Sequence, residues 1–254
     1  MLSRLRAVAR GTARDLNLRQ CRIDIDLRAC SVIIVHHLNN SRSQRILWLL
    51  EELGVAYEVK RYERNKVTML APPELRAVHP LGKSPVITDG TTTVAESGAI
   101  VEYLVEKYGD GRLIPKPGTP DRLRYTYWLH FAEGSGMPPL LMQLVFNRIE
   151  SAPMPFFARP IAKAIAGKVK KSFIEPNLSA QLAYMEAELG KAPWFAGKVF
   201  TAADIQMSFV LEAAAAHGGL GKGYPLMSDW LTRIHARAAY QKALQRGGEY
   251  SLLT

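Results

Sequence analysis

Cysteine is almost absent: only Cys21 and Cys30 occur in 254 residues, and both precede the first convincing strand. Their spacing fits neither a redox pair nor a set of zinc ligands. A disulfide between them is one reading, and a reduced, cytoplasmic protein is the favoured one. A reacting thiol therefore has to arrive with a substrate. No apolar run approaches the roughly 18–20 residues of a membrane span, so no membrane partner is expected. Internal repeats are absent. So are zinc-finger spacings, an aromatic RNA-binding signature and any helix with a dense Arg/Lys stripe. The net charge of +10 thus points away from nucleic acid and toward an anionic surface or an acidic small substrate. No metal site is expected.

What the chain does have is apolar content. At 48% hydrophobic residues it can bury the core of one large or two small domains. Residues 1–30 read differently from the rest. Arg4, Arg6, Arg10, Arg14, Arg19, Arg22 and Arg28 punctuate them without a single lysine. That composition fits a transit peptide or an extension from a misplaced start codon. Asp24 and Asp26 sit poorly in a presequence and favour the second. Either way, 1–30 is placed outside the fold.

From Ser31 the patterns are regular. Ser31–His37 is a β-branched run short enough for a strand buried on both faces. Leu38-Asn39-Asn40-Ser41 supplies turn and cap chemistry. Ser43–Gly54 reads as a helix with glycine as its stop. Tyr57–Tyr62 alternates as a strand, and a short helix is expected near Pro73–Ala77. Val86–Thr88 and Thr92–Ala95 flank Asp89-Gly90, the strongest hairpin signal in the chain. Glu96–Tyr108 is the next helix. This order predicts a four-stranded mixed sheet with helices on both faces over 31–109.

Residues 110–120 form a Gly/Pro-rich linker, and 121–248 should be all helical. Helices are expected over Asp121–Glu133, interrupted by Gly134–Pro139, and then over Leu140–Ile149. A loop spans Ser151–Pro160. Further helices follow over Ile161–Lys171, Leu178–Leu189, Ala202–Ala216, Met227–Ala236 and Ala239–Gln245. Thr201–Asp204 reads as a capping box.

Two stretches carry candidate chemistry. In His79-Pro80-Leu81-Gly82-Lys83-Ser84-Pro85, proline stands directly before a strand, where its missing N–H is tolerated. A cis bond at Ser84–Pro85 would turn the Ser84 backbone outward as a docking edge for an extended peptide; an ordinary loop-to-strand turn is the plain alternative. Downstream, Glu96-Ser97 stands where a strand hands over to a helix. A serine hydroxyl and helix N-terminal N–H groups suit a carboxylate, and Glu96 suits an ammonium. The plain readings are a helix cap for Ser97 and a first-turn charge for Glu96.

Pro-Leu-Gly-Lys-Ser-Pro followed by Ala95-Glu96-Ser97, the Pro-rich linker, the Thr201–Asp204 cap and Tyr224-Pro225…Trp230-Leu231-Thr232-Arg233-Ile234 together resemble the glutathione S-transferase family. The resemblance covers Ser31 to about Gly248. The stretch His37-Leu38…Ser41-Arg42-Ser43…Arg45…Trp48 is similar to a bacterial and fungal, serine-using branch. The resemblance implies a thioredoxin-like domain followed by a helical one, and a cytoplasmic homodimer. It also implies glutathione as co-substrate, with its thiolate conjugated to small hydrophobic electrophiles in detoxification. The Ser84 backbone with Pro85 would pair with the cysteinyl unit. Ser97 would take the γ-glutamyl carboxylate, Glu96 the ammonium and Lys83 the glycyl carboxylate, with His79 assisting. Ser41 would donate to the thiolate, with Asn40 and Ser43 as competitors. That turn holds neither tyrosine nor cysteine, which disfavours tyrosine activation and mixed-disulfide chemistry. Tyr125, Trp128, Phe131 and Met137 are candidates for the electrophile's apolar wall. A glutathione-dependent peroxidase or isomerase, and a non-catalytic binding protein on the same fold, are the alternatives.

Overall fold

A computed structural model describes residues 32–65, 67, 68, 70–216, 220, 223–250 and 252. The readings of 1–30, Cys21 and Cys30 fall outside the described residues. The sheet is four-stranded and mixed, as expected, in the order β2-β1-β3-β4. Strand β1 (Ile33–Leu38) runs parallel to β2 (Tyr57–Tyr62) and antiparallel to β3 (Val86–Asp89), which forms a hairpin with β4 (Thr92–Ala95). Strand alternation assigns the faces. Ile33 and Val35 enter the main core with helix α1 (Ser43–Leu53) and helix α3 (Ser97–Tyr108), whereas Leu38 meets Tyr62 and Leu75 of the short α2 (Glu74–Val78) on the other side.

Helix α1 is buried on every side from Ser43 to Leu50. A helix of this kind lies between two layers rather than at a surface. The sheet covers one flank, while Trp48 meets Phe200 and Tyr240 of the helical half on the other. Full burial of each large apolar side chain stabilises the fold by about 1.5–3 kcal/mol, so α1 ties the sheet to the helical half. Gly54 closes it with φ +68°.

The helical half departs from the sequence reading in two respects. Gly134–Pro139 does not interrupt the helix. Helix α4 (Pro120–Phe131) passes through a π-turn (Ala132–Gly136) directly into α5 (Met137–Ser151). Pro138 sits in the first turn of α5, where a missing N–H costs little. A second π-turn (Lys170–Ile174) likewise joins α6 (Arg159–Val169) to α7 (Glu175–Leu189). Helices α8 (Ala202–Ala216), α9 (Pro225–His235) and α10 (Ala238–Gly247) complete the chain.

The Thr201–Asp204 cap is deeper than a surface box. Buried Asp204 accepts from the Thr201 and Phe195 N–H groups at 2.9 and 3.0 Å, and from Trp230 Nε1 at 3.3 Å. Among the described residues no helix is long and apolar enough to cross a membrane.

Candidate active site

The turn after β1 is built locally. Asn40 takes φ +48°, a conformation asparagine tolerates better than most residues. Ser41 follows, 4% exposed. Its Oγ lies 2.7 Å from Ser43 Oγ and accepts from the Ser43 N–H at 3.3 Å. Ser43 Oγ in turn lies 2.9 Å from His37 Nδ1. Burial, with Arg61 adding to it, pushes the His37 imidazole down to about 4, so it is neutral near pH 7. Ser41, Ser43 and His37 thus form one buried hydrogen-bonded chain at the mouth of α1.

The Pro-Leu-Gly loop turns at Gly82, with φ +56° and its N–H on His79 O at 2.8 Å. A Cβ there would lie 2.5 Å from Arg76 Cγ, so both the backbone angle and the packing require glycine. The Ser84–Pro85 bond is cis. The Ser84 hydroxyl donates to His36 O at 2.8 Å and accepts from Leu38 N at 3.3 Å, fastening the loop to the end of β1. Among the described residues, the N–H and C=O of Ser84 pair with no other backbone group.

At the third corner, β4 hands over to α3 through Glu96, whose φ of +71° and ψ of 128° lie where L-residues are strained. Its side chain is exposed, and its carbonyl accepts from the Ile100 N–H at 2.9 Å. Ser97 opens the helix, 3% exposed. No side chain caps α3, so its first N–H groups present a positive end without an internal partner.

These corners meet. A cleft of about 250 Å³ is lined by Lys83, Ser84, Pro85, Glu96 and Ser97, together with His79, Leu81, Ala95, Arg42, Glu133 and Leu141. Ser41 lies one residue from the lining. The sequence reading missed Arg42, Glu133 and Leu141. Arg42 stands inside the Ser41-Arg42-Ser43 motif, but nothing in the sequence aims it at the loop after α2. Glu133 arrives through the π-turn, an irregularity frequent at functional sites. Its carboxylate pairs with Arg42 Nε at 3.1 Å and also with buried Arg45, whose guanidinium donates to the Gln206 carbonyl as well. Burial lowers the Arg45 pKa and Glu133 opposes that shift.

One other expectation needs correcting. Tyr125, Trp128, Phe131 and Met137 do not wall the cleft. They are 1%, 1%, 8% and 7% exposed and belong to the main core, because their helical spacing faces them inward. The large apolar side chains that line the cleft are Leu81 and Leu141, exposed by 60% and 52%. A larger hollow of about 520 Å³ between α1 and α10 is less suited to a ligand. Its charged walls are already matched, Arg237 with Glu52 at 2.5 Å and Lys242 with Glu51 at 2.7 Å.

The chain is similar to known proteins over most of its length. Residues 30–106 match the glutathione S-transferase N-terminal domain, and residues 158–238 match the C-terminal domain. Glutathione S-transferase 3 of Schizosaccharomyces pombe is 37% identical over 215 residues, covering 85% of this chain and 88% of that one. Glutathione S-transferase 1 of Saccharomyces cerevisiae is 31% identical over 224 residues, covering 85% and 95%. Among solved structures, a glutathione S-transferase from Actinobacillus pleuropneumoniae superimposes with a TM-score of 0.69 at 31% identity, covering 87% of this chain and 96% of that one.

Proposed function

This chain belongs to the glutathione S-transferase family, and on that premise we propose that it conjugates the glutathione thiolate to small hydrophobic electrophiles at the cleft between Lys83, Ser84, Pro85, Glu96 and Ser97. The observation that carries the reading is the convergence of those five residues, drawn from a loop and a strand–helix junction, on one cavity. Glutathione has two carboxylates, one ammonium and one thiol. The γ-glutamyl carboxylate meets the Ser97 hydroxyl and the uncapped N–H groups of α3, and the ammonium faces Glu96. The cysteinyl unit pairs with the Ser84 backbone beside Pro85, in the manner of an added strand. Lys83 receives the glycyl carboxylate.

The thiol is then held at the mouth of α1, where Ser41 donates to its anion. Ser43 and Asn40 are the competing donors. The proton leaves to solvent, the thiolate sulfur attacks the electrophilic carbon, and the leaving group departs with its electron pair. Lowering a thiol pKa near 8.5 by about two units takes about 2.7 kcal/mol. That raises the thiolate fraction about 25-fold but costs roughly 6- to 10-fold in nucleophilicity. The net gain is a few-fold, so most of the acceleration comes from holding the two reactants together.

Retention on immobilised glutathione, followed by turnover of a chloronitrobenzene, tests the proposal. Retention with turnover supports it. Retention without turnover favours a binding protein, and no retention refutes the site. We also propose that the active species is a homodimer, which sedimentation of the full chain checks.

A further inference from the structure

Helix α6 is turned the wrong way round for a helix facing water. Its small residues point inward: Ala166 is buried and Ala162 half-buried. Ile161 and Ile165, four positions apart and so on one face, stay 63% and 59% exposed. The turn ahead of the helix continues the pattern. The Ala158 N–H donates to Pro155 O at 3.0 Å, which closes a turn around Phe156 and Phe157. These two are 86% and 66% exposed, and their rings meet edge to face with centroids 5.7 Å apart. Phe157 stands four positions before Ile161, so an apolar ridge runs from the turn down the helix. A single exposed apolar residue is ordinary, but large ones gathered in so short a stretch mark an interaction surface.

The charge around this ridge selects the partner. From Ser151 to Ile174 the chain has no Asp or Glu, yet it carries Arg159, Lys163, Lys168, Lys170 and Lys171. Lys170 is matched by Glu150 at 2.7 Å. Arg159, Lys163, Lys168 and Lys171 are exposed and enter no ion pair among the described residues. Lys168 lies three positions beyond Ile165, beside the ridge itself. A second copy packed on this surface about a two-fold axis would set these cations against their own kind, and the Arg-rich residues 1–30 would do the same. Rings as exposed as Phe156 and Phe157 stand clear of their surroundings, and can enter a soft apolar phase without a matching pocket.

We infer that this ridge docks on an anionic lipid surface. Phe156, Phe157, Ile161 and Ile165 enter the boundary between headgroups and acyl chains, and Lys168 with the neighbouring cations is drawn to the headgroup charge. The lack of a spanning helix among the described residues does not bear on this mode, which needs only side chains at interfacial depth.

Co-sedimentation of the full chain with vesicles tests the inference. The chain should pellet with equimolar phosphatidylserine and phosphatidylcholine, far less with phosphatidylcholine alone, and less as salt is raised. Phe156→Ser combined with Phe157→Ser should weaken binding by more than about tenfold, and Lys168→Gln should weaken it roughly fivefold. These side chains are exposed, so the melting temperature should hold; if the paired serines lower it, Lys168→Gln carries the test alone. No pelleting with the anionic vesicles, equal pelleting with the neutral ones, or binding that survives the substitutions overturns the inference. So does a paired-serine variant that sediments, without lipid, as a smaller species than the parent, because the ridge would then be an interface between copies.

Discussion

Replacing Glu96 should separate the stability of the fold from its hold on glutathione. The residue sits at φ +71° and ψ 128°, a region that costs a non-glycine residue roughly 1–3 kcal/mol. Glu96→Gly removes that strain and adds about 0.5–1 kcal/mol of backbone entropy to be lost on folding. The net change is between zero and about 2.5 kcal/mol of added stability. For a chain of this size each 1 kcal/mol raises Tm by about 2–4 °C.

Glu96→Ala removes the same carboxylate and keeps the strain, so it should be no more stable than the parent. Both variants should lose the proposed charge-assisted bond to the ligand ammonium, worth about 1.5–3 kcal/mol, or roughly 10- to 150-fold in affinity. Thermal denaturation and calorimetry with glutathione read the two effects separately. Equal melting temperatures for the two variants would refute the strain argument. Undiminished glutathione affinity in either would refute the ammonium contact.

Other outcomes follow from the same geometry. The folded His37 pKa, about 4, lies below the unfolded value near 6.5, so the unfolded chain takes up the proton first as pH falls. Stability from a neutral His37 is therefore present above pH 6.5 and is lost between there and about pH 4; it amounts to about 3 kcal/mol. Urea titrations across that window should show the advantage of the parent over His37→Asn declining by that order, and a flat difference would count against burial as the cause. Asp204→Ala strands buried N–H groups of Phe195, Thr201 and Trp230, and should cost at least about 3 kcal/mol in chemical denaturation. Ser41→Ala should lower chloronitrobenzene turnover more than Ser43→Ala or Asn40→Ala does, with glutathione affinity nearly unchanged. An unaltered rate in Ser41→Ala removes that serine from the mechanism.

Much of this protein was legible in its sequence because the relevant signals are local. A period of two marked Tyr57–Tyr62, Asp89-Gly90 marked the hairpin, and glycine marked the end of α1. Ser84-Pro85 and Glu96-Ser97 could be singled out because each stands at a turn or junction whose chemistry is written in its immediate neighbours, while Lys83 and the grouping of all five came from the family resemblance. The sequence signal failed where packing decides. Gly134, Gly136, Pro138 and Pro139 read as a break, yet the helix runs on. A Cβ on Gly136 would lie only 2.9 Å from Val210 Cγ1, so the bare backbone there lets the π-turn close onto α8. That tertiary contact carries Glu133 round to Arg42 and Arg45. Aromatic residues at helical spacing are read identically whether they face a core or a cleft, and only the approach of α7 and α8 buried Trp128 and Phe131.

Residue order thus determined most of the elements, since helix and strand periodicity and turn chemistry are set by interactions within a few positions. The Ser84 loop, by contrast, is fastened by His36 and Leu38, more than forty residues away. Which side chains from distant segments share one cleft was decided by tertiary packing, which brings Leu141 of α5 and Glu133 of the π-turn to the same space as Arg42 of the turn after β1. That arrangement depends on contacts between residues far apart in the chain, and no short window of sequence encodes it.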